Sequence, residues 1–494
     1  MTMPFLYSDD PPGAGKSDEI LGDIAAIPGL YLIAVPTTDL MGQHEARLRS
    51  KLASAGMRCP ITSLSHLSGH AMTVNAAIHA HIATVMASPT HHAVVLISHQ
   101  SLMTMNWARP EFQAHRWHLI VDEAPEAWSF ATMFFEVSYD EALRVIAHEP
   151  LLDGQGGETQ WAKLGLTPYG RKLAQSGQDY IADAIAPLLD LLADNRLALC
   201  NISFFGAGQE DKKKRVLHIG SVLQPEMLAP FGATRFLAAG FRHSLIFKLW
   251  SNLPEVEFIR QPLKSLPISP SMPVGQRVRI HWFSPRAASK NAFEGKDEPL
   301  KVVAERLNKE ISRPFYFAVN NGDKRSLKKY TNLITNIFGK RISTKCQGSN
   351  EERDYTAAAW LAGLKASPHE YTLLNLVYGI SRDELDRARE YEALFQFATR
   401  SNVRVSTSTA IVDIYVFDQF QAKALAGMLG AEDVRHIDLG ISPKSPKEVT
   451  ARDSDSKGGR PKKYATKEEA KAAKKKQNAD RYQANKVGNP AKAA

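Results

Sequence analysis

The sequence predicts an α/β protein with two lobes, each a mostly parallel sheet flanked by helices. Three observations support this expectation. Up to residue 260, mainly apolar runs such as 30–35, 93–98 and 119–121 alternate with stretches of helical periodicity. A glycine-rich loop follows a first apolar segment at residues 4–7. A second alternating series begins at residue 314, which predicts the second lobe.

Irregular patterns mark the boundaries between these units. Residues 131–230 follow no steady alternation, and we interpret them as an insertion in the first lobe. A stretch rich in proline, serine and glycine then indicates a linker. In the second lobe, residues 355–364 are predicted to be helical and residues 371–377 to form a strand. We therefore expect lobe 1 at 1–260, a linker at 261–297, lobe 2 at 298–445, and a basic, mostly disordered tail at 446–494.

The glycine-rich loop has the composition of a phosphate-binding loop. Residues 10–17 read Asp-Pro-Pro-Gly-Ala-Gly-Lys-Ser, with an aspartate at the first glycine position of the usual pattern. Glycines let backbone N–H groups approach phosphate oxygens, and the following helix N-terminus favours negative charge. We expect Lys16 to reach the β- and γ-phosphates and Ser17 to place its hydroxyl on Mg²⁺. The expected nucleotide contacts are Gly13, Ala14, Gly15, Lys16 and Ser17.

An acidic pair follows the third apolar run, 105 residues beyond Ser17. Asp122 and Glu123 come directly after residues 119–121. Ligands bind at the carboxyl ends of strands in open α/β sheets, so these carboxylates are expected beside the phosphate loop. Asp122 would hold Mg²⁺, and Glu123 would orient the attacking water. Together the two motifs predict a protein that binds and hydrolyses a nucleoside triphosphate, with ATP and Mg²⁺ as the expected ligands.

Composition places the chain among ordinary globular proteins, with one charged exception. The 494 residues allow two or three domains, and the three cysteines are too far apart in sequence for a zinc motif. No apolar run reaches the length of a membrane span. We expect a cytoplasmic protein, in a bacterial or phage-infected cell, without a membrane partner. The net charge of +9 lies entirely in residues 457–494, since the remainder has 49 basic and 49 acidic residues.

Taken together, the motifs resemble those of superfamily 2 helicases, in a divergent DEAD/DEAH-like form typical of phages or plasmids. The resemblance implies two RecA-like P-loop NTPase lobes with ATP at their interface. In lobe 1, residues 35–37 and 98–102 resemble motifs that touch the nucleic-acid backbone, and residues 238–240 stand where a motif linking hydrolysis to lobe movement is expected. Gly240 departs from that motif, in which a hydroxyl residue is common. The implied nucleic-acid contacts are Pro36, Thr37, Ser98 and His99.

The second lobe offers matching motifs. Gly348, Ser349 and Asn350 with Asp354 resemble the motif that contacts ATP and the strand; the resemblance implies a nucleotide contact for Gly348 and Asp354 and a strand contact for Asn350. The final motif is matched by a glutamine and two arginines with four-residue spacing. In the family, such arginines reach the γ-phosphate across the cleft. The residues so implied are Gln396, Arg400 and Arg404, with Arg400 as the main finger.

The tail contains a Gly-Arg-Pro core that resembles an AT-hook. Such a core lies in the narrow minor groove of A·T-rich DNA, where arginine is attracted by the negative potential. Arg460, Lys462 and Lys463 are the expected contacts. The alternative is a solubilising tail without groove preference. DNA, single-stranded or duplex, is therefore the expected partner; RNA is left open, and replication proteins are further candidates.

These motifs leave three functional hypotheses. The first is an ATP-dependent nucleic-acid translocase or helicase in replication or repair of a phage or plasmid. The second is a viral DNA-packaging ATPase, for which Asp413 and Asp418 are nuclease candidates without a convincing third carboxylate. The third is a DNA-binding scaffold with a vestigial ATPase, against which the intact lysine, acidic pair and arginines argue.

Overall fold

The structure is a computed structural model. It describes residues 2–66, 73–89, 91–135, 139–153, 155–175, 180–192, 196–205, 215–264, 270–289, 293, 299–320, 337–344 and 351–441. The predicted tail contacts Arg460, Lys462 and Lys463, and the lobe 2 residues Gly348 and Asn350, lie outside these ranges. None of the helices within the ranges is long and apolar enough to cross a membrane.

Eighteen strands are described. They are β1 (Met3–Ser8), β2 (Leu30–Val35), β3 (Ile61–Ser63), β4 (Ala93–Ser98), β5 (Trp117–Asp122), β6 (Trp128–Phe135), β7 (Ile146–Leu152), β8 (Glu158–Leu166), β9 (Arg196–Asn201), β10 (Arg215–Leu223), β11 (Ala233–Leu237), β12 (Val256–Arg260), β13 (Val278–Ser284), β14 (Tyr316–Val319), β15 (Lys340–Arg341), β16 (Ala357–Leu361), β17 (Val412–Asp418) and β18 (Asp433–His436).

The helices in the described ranges are labelled in chain order. They are α1 (Lys16–Ala26), α2 (Thr38–Ser54), α3 (Val74–Ala87), α4 (His99–Thr104), α5 (Tyr139–Val145), α6 (Pro168–Gln175), α7 (Tyr180–Leu191), α8 (Leu245–Trp250), α9 (Val274–Arg277), α10 (Pro299–Glu310), α11 (Pro368–Tyr378), α12 (Arg382–Asp386), α13 (Glu392–Ala398) and α14 (Gln419–Leu429). A π-helical turn, Arg387–Tyr391, joins α12 to α13.

The first sheet has seven strands in the order β12-β1-β11-β5-β2-β4-β3, and every neighbouring pair is parallel. Strand β2 shows why it is apolar throughout. Leu30, Leu32 and Ala34 belong to one core, and the alternate residues Tyr31, Ile33 and Val35 belong to a second core on the opposite face. Both faces of the sheet are therefore covered, as in other all-parallel sheets.

A second, antiparallel sheet lies between β5 and β11 in the chain, with the order β6-β10-β9-β8-β7. Leu217 and Ile219 of β10 face a core that includes Val145, Leu173 and Leu188 from helices α5–α7. On its other face, Trp128, Trp161 and Val222 join the core of the first sheet. The antiparallel sheet is thus packed against the first sheet rather than tethered to it by a loop.

The third sheet has six strands, β15-β14-β16-β17-β13-β18, again with only parallel pairs. Two predictions fail here. Strand β13 lies inside the predicted linker 261–297, so this sheet begins earlier in the chain than expected. Residues 355–364 contain strand β16 instead of a helix. Alanine favours helices, but Ala357, Ala358 and Ala359 are fully buried, with Ala358 in the core on one face of the sheet and the other two in the core on the opposite face. Burial on both faces outweighs the helix propensity of alanine and favours a strand.

Helix α11 replaces the strand predicted at 371–377. Ser367 and Glu370 form a capping box at its start, and Gly379 ends it with φ 65°. Its Leu373 and Leu374 pack into the core of the first sheet, although the helix follows β16 of the third sheet. This helix therefore docks the second half of the chain onto the first by apolar contact.

The docking of α11 gives a stability prediction. Leu373 is fully buried, whereas Leu376 in the same helix is 48% exposed. Leu373→Ala should lower the free energy of unfolding by about 2–5 kcal/mol because it leaves a cavity in the shared core. The control Leu376→Ala should change it by about 0.5 kcal/mol or less. Urea unfolding monitored by circular dichroism measures both; equal effects would contradict the docked arrangement.

Candidate nucleotide-binding site

A cavity of about 460 Å³ lies between the first and third sheets. Its first wall is formed by the carboxyl ends of β1, β5 and β11 with the loops that leave them, and by residues of helices α1 and α2. Its second wall is formed by the end of α13 and by the loops that enter β16 and β17. The lining residues are Pro12, Gly13, Gly15, Lys16, Ser17, Asp18, Leu40, His44, Arg47, Asp122, Glu123, Leu237 and Ala239 on the first wall, and Arg353, Gln396, Thr399, Arg400, Arg404, Val405 and Ser406 on the second.

The phosphate loop has the backbone shape that its glycines predict. Gly13 and Gly15 have φ values of 81° and 90°, a region that residues with a Cβ rarely occupy. Gly15 is the N-cap of α1. The Lys16 ammonium donates to the carbonyl oxygens of Asp10 and, at 3.0 Å, of Pro11. The loop therefore holds the ammonium near the N-terminus of α1. A phosphate group there would be attracted by the ammonium and by the helix N-terminus.

Asp122 is buried, and both of its carboxylate oxygens accept hydrogen bonds. The Ser17 hydroxyl donates to its two oxygens at 3.0 and 3.2 Å. The His44 Nε2 atom lies 2.6 Å from its Oδ2, and Arg47 donates to His44 Nδ1 at 2.7 Å, which leaves the His44 proton on Nε2. Burial opposes ionisation, but the bonds from His44 and Ser17 outweigh it and lower the pKa of Asp122. The carboxylate is thus ionised and fixed beside Ser17.

Glu123 has an unusual backbone. Its φ is 67°, in the left-handed region, and its N–H donates to Leu237 O at 3.0 Å. Burial and the neighbouring Asp122 charge raise its pKa to about 7. A non-glycine residue in this conformation is strained and persists where the surroundings hold it. The bond to β11 supplies that restraint and aims the side chain into the cavity.

The donor set suits Mg²⁺ in combination with a nucleotide. Ser17 and Asp122 offer a hydroxyl and a carboxylate within 3.0 Å of each other. In the described ranges no group of three His, Cys, Asp or Glu residues could hold a metal by itself. Mg²⁺ commonly takes one or two protein oxygens and completes its shell with water and phosphate oxygens. Ser17 and Asp122 therefore fit the ion that the sequence implies.

The opposite wall is cationic. Arg400 and Arg404 both reach the cavity, as the sequence predicts, and Gln396 lies beside them. A Cβ at Gly13 would lie 3.2 Å from the Arg404 Cγ, so the arginine is packed directly on the phosphate loop. Arg353 also lines the cavity, whereas the predicted contact Asp354 does not. The Asp354 side chain is 85% exposed, and its Oδ1 lies 3.7 Å from Arg353 Nε.

Gly240 lies where a hydroxyl residue was expected. Its φ is 65°, and a Cβ added to it would lie 2.8 Å from Oε2 of Glu392, a residue of α13. The Gln396 amide lies 3.4 Å from the other carboxyl oxygen, and burial raises the pKa of Glu392 to about 7. A glutamate of the third-sheet half therefore occupies the space that a side chain at position 240 would need.

The predicted nucleic-acid contacts divide into two groups. Thr37 and Ser98 cap helices α2 and α4 with bonds of 3.2 and 3.1 Å. Both are partly exposed, as is Pro36; Pro36 and Thr37 follow β2, and Ser98 ends β4. His99 is only 8% exposed, and its Nε2–H donates to Asp122 O at 2.9 Å. Burial lowers the pKa of His99 to about 4, and its ring faces the protein interior and not the surface on which a strand would lie. His99 instead supports the acidic pair from below, which corrects the prediction.

The nuclease candidates of the packaging hypothesis do not form a site. Asp413 and Asp418 lie at opposite ends of β17. Asp413 bonds to His281 Nε2 at 2.8 Å and is paired with Arg313. Asp418 caps α14 by accepting from two of its N–H groups at 2.8 Å. Both carboxylates are used within the third sheet and its helix.

Sequence reasoning missed His44, Arg47, Arg353 and Glu392. A signal existed for His44, because it falls in the buried stripe of α2 with Leu40 and Leu48. A polar residue in such a stripe needs a buried partner, here Asp122. Nothing in the local pattern marks the other three residues.

No protein-family model and no curated protein matches this sequence. Among solved structures, the chain is similar to Xpd4 of S. tokodaii, with 10% identity, a TM-score of 0.43 and coverage of 88% of this chain and 96% of that one. It is also similar to S. cerevisiae Dbp5 bound to Gle1 and IP6 (8% identity, TM-score 0.31, 88% and 84% coverage). A third is the DEAH/RHA helicase HrpB of Escherichia coli (12%, 0.33, 85% and 41%). At these values the likenesses carry no argument about activity.

The packing at Gly13 gives a prediction with a matched control. Gly13 and Gly56 both have positive φ, but a Cβ at Gly56 would meet nothing within 4 Å. Gly13→Ala, like Gly56→Ala, places a Cβ on a residue with positive φ, and it also displaces Arg404. We expect weaker nucleotide binding only in Gly13→Ala, measured by titration with a fluorescent ATP analogue. Equal binding in the two variants would show that the contact with Arg404 has no influence.

The raised pKa of Glu392 gives a pH prediction. Its ordinary pKa is 4.5 and its folded pKa is about 7, so the folded state loses stability as the pH rises through this window. Glu392→Gln does not ionise, and its stability relative to wild type should increase from about pH 6 to about pH 8. Glu384 is the control, because its pKa is lowered to about 2, mainly by the hydrogen bond from Lys248. It is ionised at both pH values, so Glu384→Gln should destabilise the protein equally at both. Urea unfolding measures both; a Glu392→Gln difference that does not change with pH would contradict the assignment.

Proposed function

We propose that this chain is an ATP-dependent nucleic-acid translocase or helicase. The observation that carries the proposal is the cavity in which Lys16, Ser17 and the acidic pair face Arg400 and Arg404 from the opposite wall. Groups for phosphate binding, water activation and charge stabilisation are thus available in one cleft. The more specific part of the proposal is action on DNA in replication or repair of a phage or plasmid, which rests on sequence resemblance.

ATP would bind with its phosphates over the N-terminus of α1. Lys16 would exchange its bonds to the carbonyls of Asp10 and Pro11 for bonds to the β- and γ-phosphates. Mg²⁺, held by Ser17 and Asp122, would neutralise charge on the phosphate oxygens. The Asp122–His44–Arg47 series holds the carboxylate in place, so little rearrangement is needed when the nucleotide binds.

Hydrolysis would require Glu123 in its ionised form to orient water toward the γ-phosphate. Arg400 and Arg404 would stabilise the charge that develops there, a contribution worth roughly 10³–10⁵ in rate in related chemistry. These arginines belong to the third-sheet half and the phosphate loop to the first, so the nucleotide would draw the two halves together. Release of phosphate would remove that attraction, and this cycle would move a bound strand.

Nucleic acid would bind at Pro36, Thr37 and Ser98, which lie at the carboxyl ends of the neighbouring strands β2 and β4, and at Asn350 in the second half. Arg460, Lys462 and Lys463 of the tail would add salt-dependent attraction. We also propose that the first lobe ends near residue 260, that the second lobe begins with β13, and that the basic tail covers residues 446–494.

The test is ATP hydrolysis with and without single-stranded DNA, duplex DNA and RNA. Lys16→Ala should abolish turnover because the phosphates lose their buried cation. Lys51, whose Nζ lies 2.9 Å from an exposed Asp18 carboxylate, supplies the control: Lys51→Ala should retain turnover. Turnover that persists in Lys16→Ala would refute the assignment. Nucleic-acid binding by wild type without turnover would favour the scaffold hypothesis.

A further inference from the structure

Arg277, the last residue of α9, is buried with 1% exposure. Its guanidinium donates to four backbone carbonyls of a single loop, residues 402–408. The acceptors are Asn402 O at 2.9 Å, Val403 O at 3.0 Å, Val405 O at 3.0 Å and Ser408 O. Among the described residues no carboxylate forms an ion pair with it. A charge buried on carbonyl dipoles alone is costly unless the geometry is well matched.

The loop that Arg277 holds carries Arg404, and three of its four acceptors bracket that residue. The loop backbone forms short turns, in which Arg404 N donates to Ser401 O at 3.0 Å and Val405 N to Asn402 O at 3.0 Å. Ser408 N also donates to Val405 O at 3.1 Å, and Ser271 N donates to Ser406 O at 2.8 Å. Arg404 lies against the phosphate loop, since its Cγ and its backbone O would be 3.2 and 3.9 Å from a Cβ at Gly13. The carbonyls that accept from Arg277 therefore belong to the same loop that places Arg404 in the cavity wall.

The same loop is connected to the segment that carries Arg353. Asn402 N donates to Tyr355 O at 2.9 Å, and its side-chain amide donates to Arg353 O at 3.3 Å. Arg277 thus contacts the Arg404 loop directly and the Arg353 segment only through Asn402. Lysine is a poor substitute, because a planar guanidinium presents five N–H donors in a fixed fork and an ammonium does not.

We propose that Arg277 is a positioning residue that fixes loop 402–408 and thereby aims Arg404 at the terminal phosphate of the nucleotide. The role of Arg404 rests on the proposed function; the anchoring of the loop does not. Arg277 touches no cavity space and acts only through the loop.

Hydrogen exchange of the full-length protein tests the anchoring. In Arg277→Met, four carbonyls lose their donor, and amides of 402–408 should exchange about 10–100-fold faster than in wild type. The control is Arg279→Met, since Arg279 lies on β13 and its Nε is 3.5 Å from Asp433 at the surface; exchange in 402–408 should not change. Unchanged exchange in Arg277→Met overturns the proposal. If that variant does not fold, Arg277→Lys should show a smaller increase at the same amides.

A double-mutant cycle tests the link to Arg404. Arg277→Met should lower kcat about 100-fold, as expected for a misplaced catalytic group, while the affinity for ADP stays near that of wild type. In an Arg404→Ala background the same change should have little further effect. An equal loss in both backgrounds would indicate a general structural role and overturn the link. If wild type does not hydrolyse ATP, the proposed function fails, while the exchange experiment still decides whether Arg277 anchors the loop.

Discussion

Asp122 and Glu123 place two adjacent carboxyl groups at the buried end of β5. The cost of burying a negative charge is met differently at each of them. Asp122 is kept ionised by His44 and Ser17, whereas burial leaves Glu123 with a pKa of about 7. Two full negative charges side by side are thereby reduced at neutral pH, where Glu123 is only partly ionised. The cations Lys16 and Arg400 also act on Glu123, so binding of a polyanion between them would alter its ionisation. The acidic pair therefore makes the cleft responsive to its ligand.

The phosphate loop and acidic pair could be placed together from the sequence because both follow carboxyl ends of parallel strands, and the structure brings Ser17 within 3.0 Å of Asp122. Residues whose position depends on tertiary contacts could not be placed from the sequence. His99 follows β4 like a strand contact, but its ring turns inward to the Asp122 carbonyl. The sequence does not indicate strand β16, because its alanines favour a helix. The apolar run in α11 predicts a strand, although Ser367 and Glu370 before it form the capping box of a helix.

The two halves of the chain are joined by contacts of two kinds. At the cavity they meet through charged and polar groups that a nucleotide would reorganise. At α11 they meet through buried leucines, and Trp128 Nε1 donates to Glu370 Oε1 at 2.9 Å. Separating these buried leucines from the core would cost several kcal/mol, roughly 2–5 per leucine. The π-helical turn Arg387–Tyr391 lies in the chain between this anchor and Arg400 and Arg404, which follow α13.

The position of β1 in its sheet constrains the order of folding. This strand, which leads into the phosphate loop, pairs only with β11 and β12, so residues 3–8 must wait for residues 233–260. At synthesis rates of about 5–20 residues per second, the partners emerge on the order of tens of seconds after β1. The strands of the antiparallel sheet, which are near one another in sequence, are all synthesised before then. A chain cut before β11 would leave β1, and the phosphate loop that it leads into, without its pairing strands.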